Sequence, residues 1–222
     1  FKTYALQISA NILYYIYFLQ MGAYFMSQNL EAVIFDMDGT LIDSMGVWRK
    51  VDEDFLSCRN VCMPHDIQKH IEGLNFDEAA QYFKSVFSLP DEIDDIKKEW
   101  MLRIKGYYDH VIPLKDGAMD FIINANKAGL KIGLATSNSR GLTEAVLKRT
   151  HIYNYFDAVV TGSEIKKSKI DPDIFLKTAE ELNVPPEKCI VFEDTVTGIT
   201  GAKKASMKVI AVYDKSSAPY KD

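Results

Sequence analysis

AVIFDMDGTLIDS, residues 32–44, combines a short apolar run with closely spaced acidic residues. The first four residues are apolar, which is typical of a strand that is buried in a parallel sheet. Asp36 and Asp38 follow directly, and Gly39 allows a sharp turn behind them. Alternate residues of an extended chain point the same way, and ligands bind at the carboxyl ends of parallel strands. The stretch therefore predicts a strand that delivers two carboxylates to one binding crevice.

Further β-branched runs alternate with segments of helical length in the second half of the chain. The predicted strands are residues 32–35, 131–135, 158–161, 188–192 and 208–212. The predicted helices of this part are residues 116–128, 141–150, 172–183 and 198–205. This alternation is typical of a parallel sheet that is covered by helices. We therefore predict an α/β fold with a Rossmann-like parallel sheet.

Residues 44–112 interrupt this alternation, because they contain no convincing strand and much helical periodicity. One apolar face of this interval is marked by Ile96, Trp100, Ile104 and Tyr107. The interval leaves the sheet and returns to it at neighbouring points, which is the geometry of a hinged lid. We therefore predict two domains. They are a core of residues 30–43 and 113–222, and a helical cap of residues 44–112.

The N-terminal segment, residues 1–29, is treated separately because residues 3–30 carry no charged side chain. This run is long enough to span a bilayer. It can be a membrane anchor, a helix docked on the body, or an extension that does not belong to the mature protein. We favour the extension, because the chain opens with Phe1 and Met26 lies shortly before the first predicted strand. Removal of the residues before Met26 is expected to leave activity intact.

The overall composition excludes several classes of protein. The 26 Lys and Arg residues against 31 Asp and Glu residues give a net charge of −5, so no basic field is available to hold nucleic acid. The chain has only three cysteines, which argues against a disulfide scaffold and fits a reducing cytosol. We expect a cytoplasmic, monomeric protein that binds no nucleic acid and no membrane, unless residues 3–30 are a genuine anchor.

Polar residues follow the other predicted strands as well, at the edge where we expect the crevice. They are Thr136, Ser137 and Asn138 after the second strand, Lys169 after the third, and Glu193 and Asp194 after the fourth. A hydroxyl and an ammonium group are suited to holding phosphoryl oxygens. Four carboxylates at Asp36, Asp38, Glu193 and Asp194 offer the hard oxygen ligands that Mg²⁺ accepts. One carboxylate can then attack phosphorus while its neighbour transfers a proton.

Four segments together resemble the four motifs of the haloacid dehalogenase superfamily. They are DMDGTLIDS (36–44), ATSN (135–138), KIDPDIF (169–175) and FEDTVTG (192–198). The helical interval resembles the C1 cap of the β-phosphoglucomutase-like branch. The resemblance implies that Asp36 is the phosphorylated nucleophile, that Asp38 is the general acid and base, and that Thr136 and Lys169 bind the phosphoryl group.

The same resemblance implies a metal site. Its ligands would be Asp36, the backbone carbonyl of Asp38, and Asp194, together with Glu193. Mg²⁺ is the expected cofactor. We also expect substrate contacts from Thr40, Ser137 and Asn138.

Two positions depart from the motif pattern of this family. The third motif usually reads Lys-Pro, whereas Ile170 follows Lys169 here. Phosphomutases of this branch carry a histidine shortly after the first motif, where this sequence has Trp48. That histidine helps to suppress hydrolysis, so its absence favours water as the acceptor.

We therefore predict a phosphatase that hydrolyses a small phosphorylated metabolite, such as a sugar phosphate. The alternative is a β-phosphoglucomutase-like hexose-phosphate mutase. A non-catalytic binding or membrane-tethered protein is the third interpretation, and only the apolar N-terminal run supports it.

Overall fold

The computed structural model describes residues 29–71, 74 and 76–214. Within these residues the sheet is built from five strands, and all neighbouring strands are parallel. The strands are β1 (Ala32–Phe35), β2 (Lys131–Thr136), β3 (Ala158–Thr161), β4 (Cys189–Glu193) and β5 (Lys208–Ala211). Their order is β3-β2-β1-β4-β5. The predicted α/β fold with a Rossmann-like parallel sheet is confirmed.

The helices fall into two groups along the described part of the chain. Between β1 and β2 lie α1 (Met45–Ser57), α2 (Ile67–Ile71), α3 (Phe76–Val86), α4 (Ile93–His110) and α5 (Ala118–Lys127). The later helices are α6 (Arg140–Arg149), α7 (Asp173–Leu182) and α8 (Val196–Lys204). Short 3₁₀ turns occupy Tyr153–Tyr155, Gly162–Glu164 and Pro186–Lys188. We call α1–α4 the helical insert.

Two strands run further than the sequence predicts. Thr136 still pairs with Thr161 in β3, and Glu193 still pairs with Ala211 in β5. Both residues therefore belong to the sheet and not to the loops that follow. Backbone pairing with a neighbour limits the freedom of such a residue, so each side chain leaves the sheet edge in a defined direction.

Strand β1 lies at the centre of the sheet and is buried on both faces. Val33 and Phe35 join one apolar cluster, in which Phe35 contacts the ring of Phe121 from α5. Ala32 and Ile34 join the other cluster, which is filled by α7 and α8. Helices thus cover both faces, which explains why β1 is a continuous apolar run without polar alternation.

The helical insert has its own aromatic packing. Trp100 of α4 packs edge-on against Phe83 of α3, with ring centroids 4.8 Å apart, and against Phe55 of α1 at 5.5 Å. The two connections to the sheet run side by side, because the Asp43 amide donates to the Pro113 carbonyl at 3.0 Å.

The apolar N-terminal run lies outside the described residues, apart from its last positions. Its three interpretations therefore stay predictions. Among the residues that the structure describes, none of the helices combines the length and the hydrophobicity that a membrane crossing requires.

Candidate active site

Asp36 leaves the carboxyl end of β1 at the point where the strand order reverses. Strands β2 and β3 continue from one side of β1, and β4 and β5 from the other. Ligands of open parallel sheets bind at such a reversal. The Asp36 amide donates to the Phe192 carbonyl of β4 at 2.9 Å. Glu193, the next residue of β4, therefore lies at the same edge of the sheet as Asp36.

Lys169 makes ion pairs with two of the acidic side chains at this edge. Its ammonium group contacts the Asp36 carboxylate and lies 2.7 Å from Glu193 Oε2. Less than a tenth of each of these three side chains is exposed. The isoleucine at position 170, in place of the usual proline, therefore does not keep Lys169 from reaching Asp36.

The charges in this cluster shift each other's pKa values. Burial raises the pKa of Asp36 well above its usual value, and Lys169 opposes this effect, while Glu193, Asp194 and Asp38 add to it. Burial lowers the pKa of Lys169, but the carboxylates of Asp36 and Glu193 outweigh burial and raise it overall. Lys169 is therefore held as a cation, and its single charge faces an excess of carboxylates.

Three carboxylates are positioned to hold a metal ion. Asp36, Glu193 and Asp194 are all buried, and one oxygen from each lies within 4.8 Å of the others. Lys169 supplies a single positive charge against these three carboxylates, and its ammonium lies 2.7 Å from Glu193 Oε2. Buried carboxylates in excess of their cations are costly. Hard oxygen donors and an excess of negative charge together fit a Mg²⁺ site.

The loop after β1 closes over Asp194. Gly39 adopts a φ of 83°, and a Cβ atom there would lie 2.5 Å from Asp194 Oδ2. Only glycine combines this backbone conformation with such a close approach. Thr40 next to it donates its hydroxyl to Asp194 Oδ1 at 3.1 Å. Thr40, a predicted substrate contact, is therefore hydrogen-bonded to the acidic cluster in the structure.

The Asp38 carboxylate is not part of the three-carboxylate cluster and is held by hydrogen-bond donors. Ser44 Oγ donates to Asp38 Oδ1 at 2.6 Å, and the Tyr108 hydroxyl donates to the same oxygen. Asn138 Nδ2 donates to Asp38 Oδ2 at 3.1 Å. Ser44 is the N-cap residue of α1 but makes no side-chain capping bond, because its hydroxyl donates to Asp38 instead.

The end of β2 contributes a buried hydroxyl and an ordered loop. Thr136 is buried, and its Oγ1 accepts the Asn138 amide at 3.1 Å. Ser137 is exposed at this edge of the sheet. Asn138 turns back toward Asp38. The residues predicted after β1, β2 and β4, together with Lys169, therefore lie at one edge of the sheet, with Asp36, Lys169, Glu193 and Asp194 in one cluster.

Sequence reasoning missed Ser44 and Tyr108, and it identified Trp48 only as the residue at the position of the mutase histidine. Trp48 Nε1 donates to the Tyr108 hydroxyl at 3.0 Å, and Tyr108 is fully buried. Burial raises the pKa of Tyr108 well above its usual value, and the negative charge of Asp38 adds to this shift. The spacing of apolar residues in α4 could have identified Tyr108 as buried, because it lies four residues after Ile104. The apolar face predicted from the sequence contained Tyr107 instead.

Comparison with known proteins agrees with this geometry. A family model described as haloacid dehalogenase-like hydrolase matches residues 33–212. A phosphorylated carbohydrates phosphatase of Thermotoga maritima is 31% identical, and the match covers 82% of this chain and 84% of that protein. Hexitol phosphatase B of Escherichia coli is 29% identical, with 83% and 84% covered.

A solved structure has the same fold. The crystal structure of β-phosphoglucomutase from Clostridium difficile superposes with a TM-score of 0.72 at 23% identity, and covers 86% of this chain and 87% of that one. The family model spans the sheet, the helical insert and all four motifs. The chain therefore belongs to the haloacid dehalogenase-like hydrolases, the family that its four motifs predicted.

Proposed function

We propose that this enzyme is a Mg²⁺-dependent phosphatase that hydrolyses a small phosphorylated metabolite, such as a sugar phosphate, through a phosphorylated Asp36. The observation that carries the proposal is the pairing of buried Asp36 with Lys169, beside a second carboxylate, Asp38, that hydrogen bonds hold in place. Relatives named as phosphatases of phosphorylated carbohydrates and of hexitols support this class of substrate.

In the first half of the reaction, an Asp36 oxygen attacks phosphorus and the bond to the leaving oxygen breaks. Asp38 gives its proton to that leaving oxygen, which departs as an alcohol. Lys169 holds its positive charge beside the oxygens of the transferred group and stabilises the charge that develops there. The result is a phosphate covalently bound to Asp36 and an ionised Asp38.

In the second half, Asp38 accepts a proton from a water molecule that attacks the phosphorus. The bond to Asp36 breaks, inorganic phosphate leaves, and Asp38 carries a proton again. Asp36, Glu193, Asp194 and the backbone carbonyl of Asp38 would hold the Mg²⁺ ion. When bound, this ion would offset the negative charge of the phosphoryl group and of the carboxylates around it.

Water is the favoured acceptor because of Trp48, which donates to the Tyr108 hydroxyl next to Asp38. Trp48 occupies the position expected for the mutase histidine, and its indole nitrogen is a donor only. An indole neither accepts nor relays a proton at neutral pH. This favours hydrolysis over the hexose-phosphate mutase alternative.

The test is phosphate release from a panel of sugar phosphates, hexitol phosphates, nucleotides and short phosphorylated acids, with and without Mg²⁺. Asp36→Asn serves as the blank, because it keeps the shape of the side chain and removes the nucleophile. We expect Mg²⁺-dependent release that the variant reduces by about a thousandfold or more.

The outcomes separate the alternatives. Release by Asp36→Asn at the wild-type rate would show that the nucleophile is a different group. No phosphate release from the panel, with interconversion of glucose phosphates once a bisphosphate is added, would identify a mutase. Neither phosphate release nor interconversion would support the non-catalytic interpretation.

A further inference from the structure

The Tyr108 hydroxyl is a buried junction of hydrogen bonds between the helical insert and the sheet. Tyr108 lies in the last turn of α4 and is fully buried. Its oxygen lies 3.0 Å from Trp48 Nε1 and 2.9 Å from Asn138 Nδ2, and it also contacts Asp38 Oδ1. Trp48 and Tyr108 belong to the helical insert, whereas Asp38 and Asn138 lie in the loops that follow β1 and β2.

The chemistry of these groups fixes the direction of every bond. The indole N–H of Trp48 can only donate. Asn138 Oδ1 accepts the Ser139 amide at 2.8 Å, which orients the carboxamide and presents its NH₂ group to Tyr108. The Tyr108 oxygen therefore accepts one hydrogen bond from Trp48 and one from Asn138. It donates its only proton to Asp38 Oδ1.

The two oxygens of Asp38 are consequently not equivalent. Oδ1 accepts from both Ser44 and Tyr108, whereas Oδ2 accepts only from Asn138. A carboxylate oxygen has two lone-pair sites, so Oδ1 is fully engaged and Oδ2 keeps one site open. A proton on Oδ1 would face two hydrogen-bond donors, so the protonated group is held with its proton on Oδ2.

We infer that Tyr108, oriented by Trp48, is a positioning residue that holds Asp38 with Oδ2 free to carry the transferred proton. The inference rests on the proposed function, and it deepens that function by assigning control of the proton transfer to the helical insert. Trp48 in α1 and Tyr108 in α4 then couple the placement of the insert to the competence of Asp38.

The test compares two substrates of similar shape that differ in their need for a proton. Phenyl phosphate has a poor leaving group that requires protonation, whereas p-nitrophenyl phosphate has a good one that departs without it. We expect Tyr108→Phe to lower kcat/KM for phenyl phosphate about tenfold or more, and for p-nitrophenyl phosphate less than about threefold. This constant reports the steps up to departure of the leaving group, so the later hydrolysis does not obscure the difference.

A matched control lies next to it in the same helix. Tyr107 is half-buried, and Tyr107→Phe makes the same chemical change without touching Asp38. We expect its ratio of the two kcat/KM values to equal that of the wild type. Equal losses on both substrates in Tyr108→Phe would overturn the inference, because a purely structural defect does not depend on the leaving group.

A second variant separates proton transfer from folding. Tyr108→Phe leaves the Trp48 N–H without its acceptor, which is expected to lower the unfolding temperature. Trp48→Phe combined with Tyr108→Phe removes that unpaired donor. We expect the double variant to regain stability. Its kcat/KM for phenyl phosphate, divided by that for p-nitrophenyl phosphate, should stay as low as in Tyr108→Phe. Recovery of the ratio together with stability would contradict the inference. Wild-type protein that releases phosphate neither from these two substrates nor from the metabolite panel would overturn the proposed function, whereas equal losses on both substrates in an active enzyme would overturn this inference alone.

Discussion

Asp52 is a buried carboxylic acid in α1 with no role in the proposed reaction. It is 7% exposed and lies on the buried side of the helix, between Trp48 and Leu56. Burial raises the pKa of Asp52 to about 7, and the charge of Glu53 adds to this shift. The folded protein therefore binds a proton at Asp52 more tightly than the unfolded chain does.

This difference makes stability depend on pH. Between the ordinary pKa of an aspartate, 3.8, and about 7, the folded state holds more protons than the unfolded state, so the contribution of Asp52 to stability falls as pH rises. Asp52→Asn keeps the shape of the side chain and removes the titration. We expect the stability of this variant relative to wild type to increase by about 2–3 kcal/mol from pH 5 to pH 8.

Urea unfolding at a series of pH values measures this trend. Asp95→Asn is the control, because it makes the same chemical change at an exposed position, where Asp95 pairs with Lys98 at the surface. Its stability relative to wild type should stay nearly constant with pH. A flat response of Asp52→Asn would show that the carboxylate of Asp52 is solvated in the folded protein.

At the scale of the elements, the strands were predictable because each is a short apolar run that ends in polar residues. The carboxyl ends of parallel strands share one edge, so Asp36, Lys169 and Glu193 could be placed together from the sequence alone. The strand order could not be predicted in the same way, because it depends on which side of β1 each connection crosses. The reversal that places β4 beside β1 appears only in the structure.

The residues that surround Asp38 were harder to find for a physical reason. Trp48 and Tyr108 lie in amphipathic helices, where an aromatic residue of the apolar face is normally part of the packing. Their polar atoms meet only when α1 and α4 pack together over the end of β1. Sequence periodicity detects the buried face of a helix, but not which buried group carries a hydrogen bond to another element.

Helix α8 offers a test of how elements position the site. A Cβ atom on Gly201 would overlap the backbone carbonyl oxygen of Lys169 and lie 2.9 Å from that of Asp171. Backbone atoms cannot turn aside as a side chain can, so Gly201→Ala must shift α8 or the loop that carries Lys169. We expect a loss of stability of about 1–3 kcal/mol and a fall in phosphate release of tenfold or more.

Gly106→Ala is the matched control within a helix. Gly106 is exposed in α4, and an added Cβ would meet nothing within 4 Å. This substitution should stabilise the protein by about 0.5–1 kcal/mol and leave phosphate release unchanged. Urea unfolding and the phosphate assay measure both effects. Wild-type activity in Gly201→Ala would mean that the position of the Lys169 loop tolerates displacement.

At the scale of the whole molecule, the acidic cluster would link stability to metal binding. Asp36, Glu193 and Asp194 converge from different parts of the chain, and Lys169 supplies one balancing charge. Folding therefore brings together negative charges whose repulsion a bound divalent ion would relieve. An ion that binds only the folded state raises its stability by about 2.7 kcal/mol at a hundredfold excess over Kd.

We expect Mg²⁺ to raise the unfolding temperature of the wild-type protein relative to EDTA, in a manner that saturates with concentration. Asp194→Asn keeps an acceptor for the Thr40 hydroxyl and removes one of the clustered charges. In EDTA this variant should be as stable as wild type or more so, and Mg²⁺ should shift its unfolding temperature little. Glu187→Gln makes the same change of charge at an exposed position before β4, and should keep the full response to Mg²⁺. Equal responses of Asp194→Asn and wild type would place the Mg²⁺ ion away from this cluster, since both proteins share every other acidic side chain.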